Sequence, residues 1–163
     1  MDTDAEITAI FWQHLRADRT VMLGLDARTA TSLRPMTALV DGDADHGPIW
    51  FFTTTDAALV TDLRAEDLAI FTFVSQGHEV FATVHGHMTL ATDPATVERL
   101  WNPWVAAWYE GGKDDPKLAL LRFDPARAEI WRNGSSLLAG LKLLFGGDPQ
   151  DDFKDKVAKV SLS

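Results

Sequence analysis

Hydrophobic residues recur with two different periods along this chain. Near its start, Ile7, Phe11 and Leu15 follow one another at helical spacing, which predicts one amphipathic helix over residues 4–17. Shorter apolar runs further on predict β-strands over residues 20–26, 33–40, 49–54, 68–74 and 79–91. Pro35 lies inside the second of these runs and predicts an edge strand or a bulge, because proline cannot donate to a strand ladder.

The longest predicted strand, residues 79–91, has two different faces. Alternate apolar positions are expected to face the core: Val80, Ala82, Val84, Met88 and Leu90. The opposite face carries Phe81, Thr83, His85, His87 and Thr89. A long strand whose second face is half polar and half aromatic indicates a ligand or a partner subunit on that side.

Short capping motifs predict three further helices. Asp56 is expected to cap a helix whose apolar face includes Leu59. The dipeptides Asp93-Pro94 and Asn102-Pro103 each place a capping side chain directly before a proline, which is typical of a helix start. The second of these helices carries Trp104 and Trp108 four residues apart and is expected to end near Gly111-Gly112.

The last third of the chain predicts two strands, a helix and a tail. The strands are expected over residues 118–123 and 127–131, with Asp124-Pro125 as the turn between them, and the helix over residues 136–145. Residues 146–163 read as a polar tail. No linker interrupts the pattern, so we expect one domain over residues 1–163. The order of elements favours an α+β barrel over alternating β-α-β units.

Composition narrows the class of protein further. The chain has 163 residues, with 24 acidic and 15 basic side chains and a net charge of −9, which disfavours nucleic acid and anionic membranes as partners. It has no cysteine, which removes disulfides and thiolate metal ligands. Its first 20 residues lack the pattern of a signal peptide, and no apolar run approaches the ~20 residues of a membrane span. We therefore expect a soluble, cytoplasmic protein.

Three groups of residues are candidates for chemistry. Arg34 and the hydroxyls of Thr53–Thr55 would suit a phosphorylated planar ligand, although an ion pair for Arg34 and ordinary strand threonines explain the pattern as well. The tryptophans before the loop 111–116 read either as core or as one wall of a site. His85 and His87 share a strand face, but no third ligand is evident, so we predict no metal site. No catalytic motif identifies a catalytic residue.

Four stretches carry a resemblance to a known family. They are RTVMLGLDARTATSLRPMTAL, IWFFTTTDAALVTDLRA, VFATVHGHMTL and LWNPWVAAWYEGGKDDPKLALLRFDPARAEIW, all within residues 5–145. In this order they resemble the general stress protein 26 branch of the pyridoxamine 5′-phosphate oxidase-like split-barrel proteins. The resemblance implies an α+β, mainly β fold: a six-stranded antiparallel split β-barrel with peripheral helices. It also implies a homodimer with FMN, or FAD as the alternative flavin, in clefts between the subunits.

The resemblance also implies which positions contact the flavin. Those on the first side of the cleft are Arg34, Pro35, Met36 and Thr37, and those along the flavin are Phe52, Thr53, Thr54 and Thr55. The partner subunit would supply Phe81, and Trp104, Trp108 and Lys113 would approach with the loop 111–116. The family usually has a serine and a lysine that bind the FMN phosphate. Here those positions are Ala57 and Leu59, which predicts weaker phosphate binding.

Two functions remain open on these residues, and a planar ligand other than flavin in the same cleft is a third possibility. One is a flavin-binding stress-type protein that acts as an oxidoreductase, with hydride transfer at the isoalloxazine and no acid–base residue required of the protein. The other is a non-enzymatic binding or stress-response dimer that has weakened or lost its flavin. The first is the leading hypothesis, and the Ala57 and Leu59 positions favour the second.

Overall fold

The computed structural model describes residues 2–26, 32–64, 67–133 and 157–163. The helices are α1 (Asp4–Asp18), α2 (Ala58–Thr61), α3 (Pro94–Leu100) and α4 (Pro103–Ala106). The strands are β1 (Thr20–Leu25), β2 (Arg34–Thr37), β3 (Leu39–Val40), β4 (Ile49–Thr54), β5 (Asp67–Val74), β6 (Val80–Leu90), β7 (Leu118–Arg132) and β8 (Val157–Ser161). Short 3₁₀ turns cover Gln76–His78 and Gly112–Asp114.

All strands of the described residues belong to one antiparallel sheet that curls into a nearly closed barrel. Its order is β2-β1-β5-β6-β7-β4-β3, and β8 pairs with the second half of β7. The two end strands, β2 and β3, follow each other in the chain and are separated only by Ala38, which is fully buried. One stretch of chain therefore joins both edges of the sheet. The expected mainly β split barrel is confirmed, with eight strands rather than six.

Two of the differences in strand count have local causes. The strand expected over residues 33–40 is divided at Ala38, whose N–H donates to the Arg19 carbonyl at 2.7 Å. As predicted, the half of this strand that contains Pro35 is an edge strand, paired only with β1. At the other end of the chain, residues 157–163 are more than a polar tail, because Ala158 in β8 and Leu162 directly after it are buried.

The turn expected at Asp124-Pro125 is wrong, because residues 118–132 form one continuous strand. Gly86 lies opposite Pro125 and His85 opposite Arg127, so β7 carries one extra residue at this point. A proline within a central strand is tolerated at such a bulge, where the ladder is already interrupted.

Two hydrophobic cores flank the sheet. The first lies between α1 and the inner face of the barrel, and its largest fully buried side chains are Phe11, Trp12, Phe51, Phe71, Phe73 and Phe123. The second lies under α3 and α4 and contains Leu39, Trp50, Val97, Val105, Tyr109, Leu118 and Leu120. The two-face prediction for β6 is confirmed apart from Leu90, which is exposed at the end of the strand.

The helices differ in length from their predictions. A capping box between Thr3 and Glu6 starts α1, while Asp93 and Asn102 cap α3 and α4 as expected. The helix expected after Asp56 is a single turn, and its N-cap is Ala57, which makes no side-chain hydrogen bond. The helix with Trp104 likewise has only four residues. The helix predicted over residues 136–145 lies outside the described residues.

Candidate functional site

The barrel is open along one line, between β2 and the end of β4. These two strands lie next to each other but are not paired. On this side of β4, the described residues pair only at Leu39–Trp50 and Val40–Ile49, because the chain before Ala38 turns away to pair with β1. We call this opening the seam, with residues 34–37 on one side and residues 52–55 on the other. It brings together eight of the residues that the sequence analysis selected.

Backbone groups of β4 line the seam. The Thr55 N–H donates at 2.9 Å to the carbonyl of Lys117, the residue directly before β7, which is on the side of β4 away from the seam. Bonding directions alternate along an antiparallel strand, so the backbone groups of Phe52 and Thr54 point toward the seam. The Thr54 carbonyl accepts a hydrogen bond from the Ala57 N–H. Both groups of Phe52 and the N–H of Thr54 therefore face an edge that can bind the polar rim of a planar ligand.

Arg34 places a positive charge on the other side of the seam. It lies opposite Leu23, a fully buried residue, and cross-strand partners share a face, so Arg34 belongs to the inner face of the barrel. The guanidinium is nevertheless exposed, and it has no ion-pair partner within the described ranges. The ion pair considered in the sequence analysis is therefore not formed with these residues. An unpaired cation at the mouth of an opening is available to an anionic ligand.

The corner at Thr54–Leu59 offers little to an anion. The Thr54 hydroxyl donates to the Asp56 carboxylate and holds the pKa of that carboxyl below its ordinary value, with smaller contributions from its own backbone and from Lys117. Asp56 is therefore an anion at neutral pH. Leu59, the position where the resemblance implies a lysine, is only 4% exposed and belongs to the first core. Thr55 and Ala57 are at this corner, and the Ala57 N–H is already bonded.

An aromatic group holds the end of β4 from outside the seam. The Phe52 ring packs edge-on against Trp101, with centroids 6.1 Å apart, and against Tyr109, at 6.4 Å. Phe52 therefore presents its backbone to the seam and its ring to the second core. The Tyr109 hydroxyl donates to the Thr53 carbonyl at 2.5 Å, and burial raises the pKa of Tyr109 to about 12. Sequence reasoning missed Tyr109, although it is the only tyrosine in the chain.

Trp104 and Trp108 form an exposed pair beside this group. Their rings are 6.1 Å apart, and the side chains are 57% and 72% exposed. Trp108 follows α4 rather than belonging to it. The interpretation of these two tryptophans as core is therefore wrong, whereas Trp101 does pack against the second core. Two large apolar side chains left in water at one place are typical of a binding surface.

The loop 111–117 is ordered by its own hydrogen bonds. The Asp115 carboxylate accepts from the N–H groups of Lys117 and Gly111, and these bonds lower the pKa of Asp115 below its ordinary value. Lys113, selected as a flavin contact, forms an ion pair with Glu98 at 2.7 Å. Its charge is thus engaged on the α3 side of the loop.

Phe81 does not join the seam of its own chain. Strand β6 is separated from β4 by β7, and from β2 by β5 and β1. On the outer face of the sheet, Phe81 lies between Val74 and Trp131 on the neighbouring strands, and with Thr72 and Thr83 they line a depression of about 430 Å³. Phe81 and Val74 remain 37% and 46% exposed. We call this surface, made of Thr72, Val74, Phe81, Thr83 and Trp131, the outer apolar face.

Neither a metal site nor a membrane span is found in the part of the chain that the structure describes. No three potential ligands cluster there, and the His85 Nδ1 atom instead lies 3.7 Å from the Asp26 carboxylate. None of the described helices combines the length and the apolar character needed to cross a bilayer.

A curled antiparallel sheet with one unpaired seam defines a split-barrel protein. Residues 6–146 match the family model described as pyridoxamine 5′-phosphate oxidase like, and the chain belongs to this family. A general stress family protein of Xanthomonas campestris is 56% identical and superposes with a TM-score of 0.77, over 83% of this chain and 93% of that one. The general stress FMN/FAD binding protein of Xanthomonas citri is 55% identical, with a TM-score of 0.76 over 81% and 92%.

Two further relatives extend the comparison. General stress protein 26 from Jannaschia is 30% identical, with a TM-score of 0.80 over 98% of this chain and 99% of that chain. The curated relative, protein bli-3 of Neurospora crassa, is 24% identical over 110 residues. That match spans 63% of this chain and about half, 53%, of bli-3.

Proposed function

We propose that the chain is a flavin-binding stress-type protein that holds FMN, or FAD, in the seam between β2 and β4. The observation that carries this proposal is that residues 34–37 and 52–55 face each other across an unpaired seam. The name of the Xanthomonas citri relative, an FMN/FAD binding protein 55% identical to this chain, supports it.

The seam fits the ring of a flavin better than it fits its phosphate. An isoalloxazine is planar and carries donors and acceptors along one rim, which the open backbone groups of Phe52 and Thr54 complement. Arg34 supplies the positive charge for the anionic part of the ligand, and Met36 and Thr37 line the same side. Asp56 and Leu59 offer the phosphate nothing comparable. Binding of FMN should therefore depend strongly on Arg34.

In the proposed oxidoreductase, the protein binds and orients the flavin and the flavin supplies the hydride chemistry. The exposed rings of Trp104 and Trp108 would cover the flavin or its reaction partner from the α4 side. Arg34 would hold negative charge near the ligand. The proposed reaction requires no proton transfer from another titratable side chain of the described residues.

The proposed assembly is a homodimer that covers the outer apolar face. A second copy of the chain is its occupant in this proposal, because Phe81 lies away from the seam of its own chain and would reach a flavin only in a neighbouring subunit. Val74 and Trp131 would be buried with it, which removes exposed apolar surface from water.

A flavin titration tests the proposal. FMN, FAD and riboflavin are added to the purified protein, and binding is followed by flavin fluorescence and by the rise in melting temperature. We expect FMN or FAD to bind, and Arg34→Ala to weaken FMN binding about tenfold or more, while riboflavin is affected less. Lys159→Ala is the matched control, since it removes one exposed positive charge on β8. Equal losses in both variants would contradict the role of Arg34.

A second function is favoured by the corner at Asp56 and Leu59. Asp56 is an anion at this corner, and the buried Leu59 stands where the resemblance implies a lysine. Both observations fit a dimer that no longer binds the flavin phosphate. A purified protein that is colourless and that ignores FMN, FAD and riboflavin would establish this non-enzymatic alternative over the first.

A further inference from the structure

One tyrosine outside the seam is bonded directly to a residue inside it. The Tyr109 hydroxyl donates to the Thr53 carbonyl at 2.5 Å, across 56 residues of sequence. Thr53 stands between Phe52 and Thr54, the two residues whose backbone groups face the seam. The contact therefore acts on the peptide unit that carries the Thr54 N–H, one of the groups that the proposed flavin would touch.

The tyrosine itself is firmly held. Its side chain is buried, and its ring packs against Phe52 and against Trp101, at centroid distances of 6.4 and 6.0 Å. The Gly112 N–H donates to its carbonyl, which ties it to the loop that follows. Since burial raises the pKa of Tyr109 to about 12, the phenol stays a proton donor throughout the physiological range. The position of its hydroxyl is thus set by the second core.

The end of β4 needs such support because it is paired on one side only. Strand β7 pairs with β4 as far as Thr54, whereas β3 on the other side stops at Trp50 in the described chain. An edge strand without a second neighbour can twist, and a twist at Thr53 would turn the groups of Phe52 and Thr54 away from a ligand.

We propose that Tyr109 is a positioning residue for the flavin: by holding the Thr53 carbonyl, its hydroxyl fixes the seam-facing backbone of β4. This rests on the proposed function, because it assigns Tyr109 a part in the same site. The hydrogen bond between Tyr109 and Thr53 also connects the segment that carries Trp104 and Trp108 to β4. Since β4 would bind the flavin, that segment is connected to the ligand through this bond.

The test compares two variants that disturb the second core differently. Tyr109→Phe keeps the ring and removes only the hydroxyl, whereas Val97→Ala removes packing under α3 and leaves the aromatic group and its hydrogen bond in place. We expect Tyr109→Phe to weaken FMN binding about three- to tenfold, the range for one lost hydrogen bond, and to change the visible absorption spectrum of the bound flavin. We expect Val97→Ala to lower the melting temperature with an FMN affinity within about twofold of wild type.

Amide hydrogen exchange in the flavin-free protein gives an independent readout. The amides of Phe51, Thr53 and Thr55, which face β7, should exchange faster in Tyr109→Phe and at the wild-type rate in Val97→Ala. Unchanged exchange and unchanged FMN affinity in Tyr109→Phe would overturn the positioning role. Equal loss of affinity in both variants would also overturn it, because packing alone would then explain the effect. A wild-type protein that binds no flavin overturns the proposed function instead, and the exchange rates still decide whether Tyr109 holds the strand.

Discussion

Gly86 on β6 lies opposite Pro125 on β7, at the point where the pairing of the two longest strands shifts by one residue. A side chain at Gly86 would collide with the Asp124 carbonyl oxygen and with the Phe123 ring, which lies 2.8 Å from the position of an added Cβ. The close approach of these two strands therefore requires glycine at this position.

Replacement of Gly86 by alanine should destabilise the barrel. The new methyl group has to displace backbone or the core ring of Phe123, and overpacking of this kind costs about 1–3 kcal/mol or more. Urea unfolding measures the free energy of unfolding, and Thr89→Ala on the same strand is the control, with little change expected. A Gly86→Ala protein as stable as wild type would show that the bulge yields easily.

Replacement of Leu59 by lysine should destabilise the protein and leave FMN binding no tighter. The side chain is 4% exposed within the first core, so the substitution removes core packing and buries an ammonium group, with an expected cost of at least about 3 kcal/mol. Ala58→Lys adds the same charge to an exposed position of α2 and should leave stability unchanged. A stable Leu59→Lys protein with tighter FMN binding would contradict this and would support the phosphate position that the resemblance implies.

Charge on the outer apolar face should separate the proposed dimer. Phe81→Glu places a carboxylate between Val74 and Trp131, where a second copy would have to desolvate it. We expect a monomer by light scattering and weaker flavin binding. Leu90→Glu is the control on the same strand, since Leu90 is also exposed but lies at the far end. A Phe81→Glu protein with the wild-type mass in solution would locate the interface elsewhere.

The cap of α3 should make stability depend on pH. Hydrogen bonds from the Thr96 hydroxyl and N–H hold the pKa of Asp93 below its ordinary value of 3.8. A carboxyl with a lowered folded pKa contributes stability above its unfolded pKa, and that contribution is lost as the pH falls through the folded value. Asp93→Asn should therefore be less stable than wild type at pH 7, and the difference should shrink below about pH 4.

Urea midpoints at pH 7 and pH 3 measure this effect. Asp43→Asn, in the exposed loop between β3 and β4, is the matched control, because it removes the same charge without a helix cap. A difference between Asp93→Asn and wild type that is equally large at both pH values would show that the cap does not act through its charge.

Periodicity was sufficient to predict most strands and the faces of β6, because side chains of a strand alternate regardless of what lies beyond it. It failed at Asp124-Pro125, where local chemistry is typical of a turn but a distant glycine lets the strand continue. The resemblance, for its part, implied that Phe52 lies along the ligand, and it did not show that the Phe52 ring packs against the second core.

The candidate site, too, could be predicted from the sequence only in part. The two stretches 34–37 and 52–55 were identified from sequence, yet the seam between them depends on how the barrel closes, which no local pattern specifies. The hydrogen bond between Tyr109 and Thr53 joins residues 56 positions apart, and no local sequence pattern around either residue indicates this pairing. Contacts of this kind follow from the tertiary fold alone.

The burial of Ala38 between β2 and β3 has a consequence for how a ligand enters. Since this one residue covalently joins the two edges of the sheet, the strands on either side of the seam cannot separate there. The proposed flavin would therefore have to enter away from Ala38, and Arg34 at the opposite end of β2 would be the first positive charge on that path.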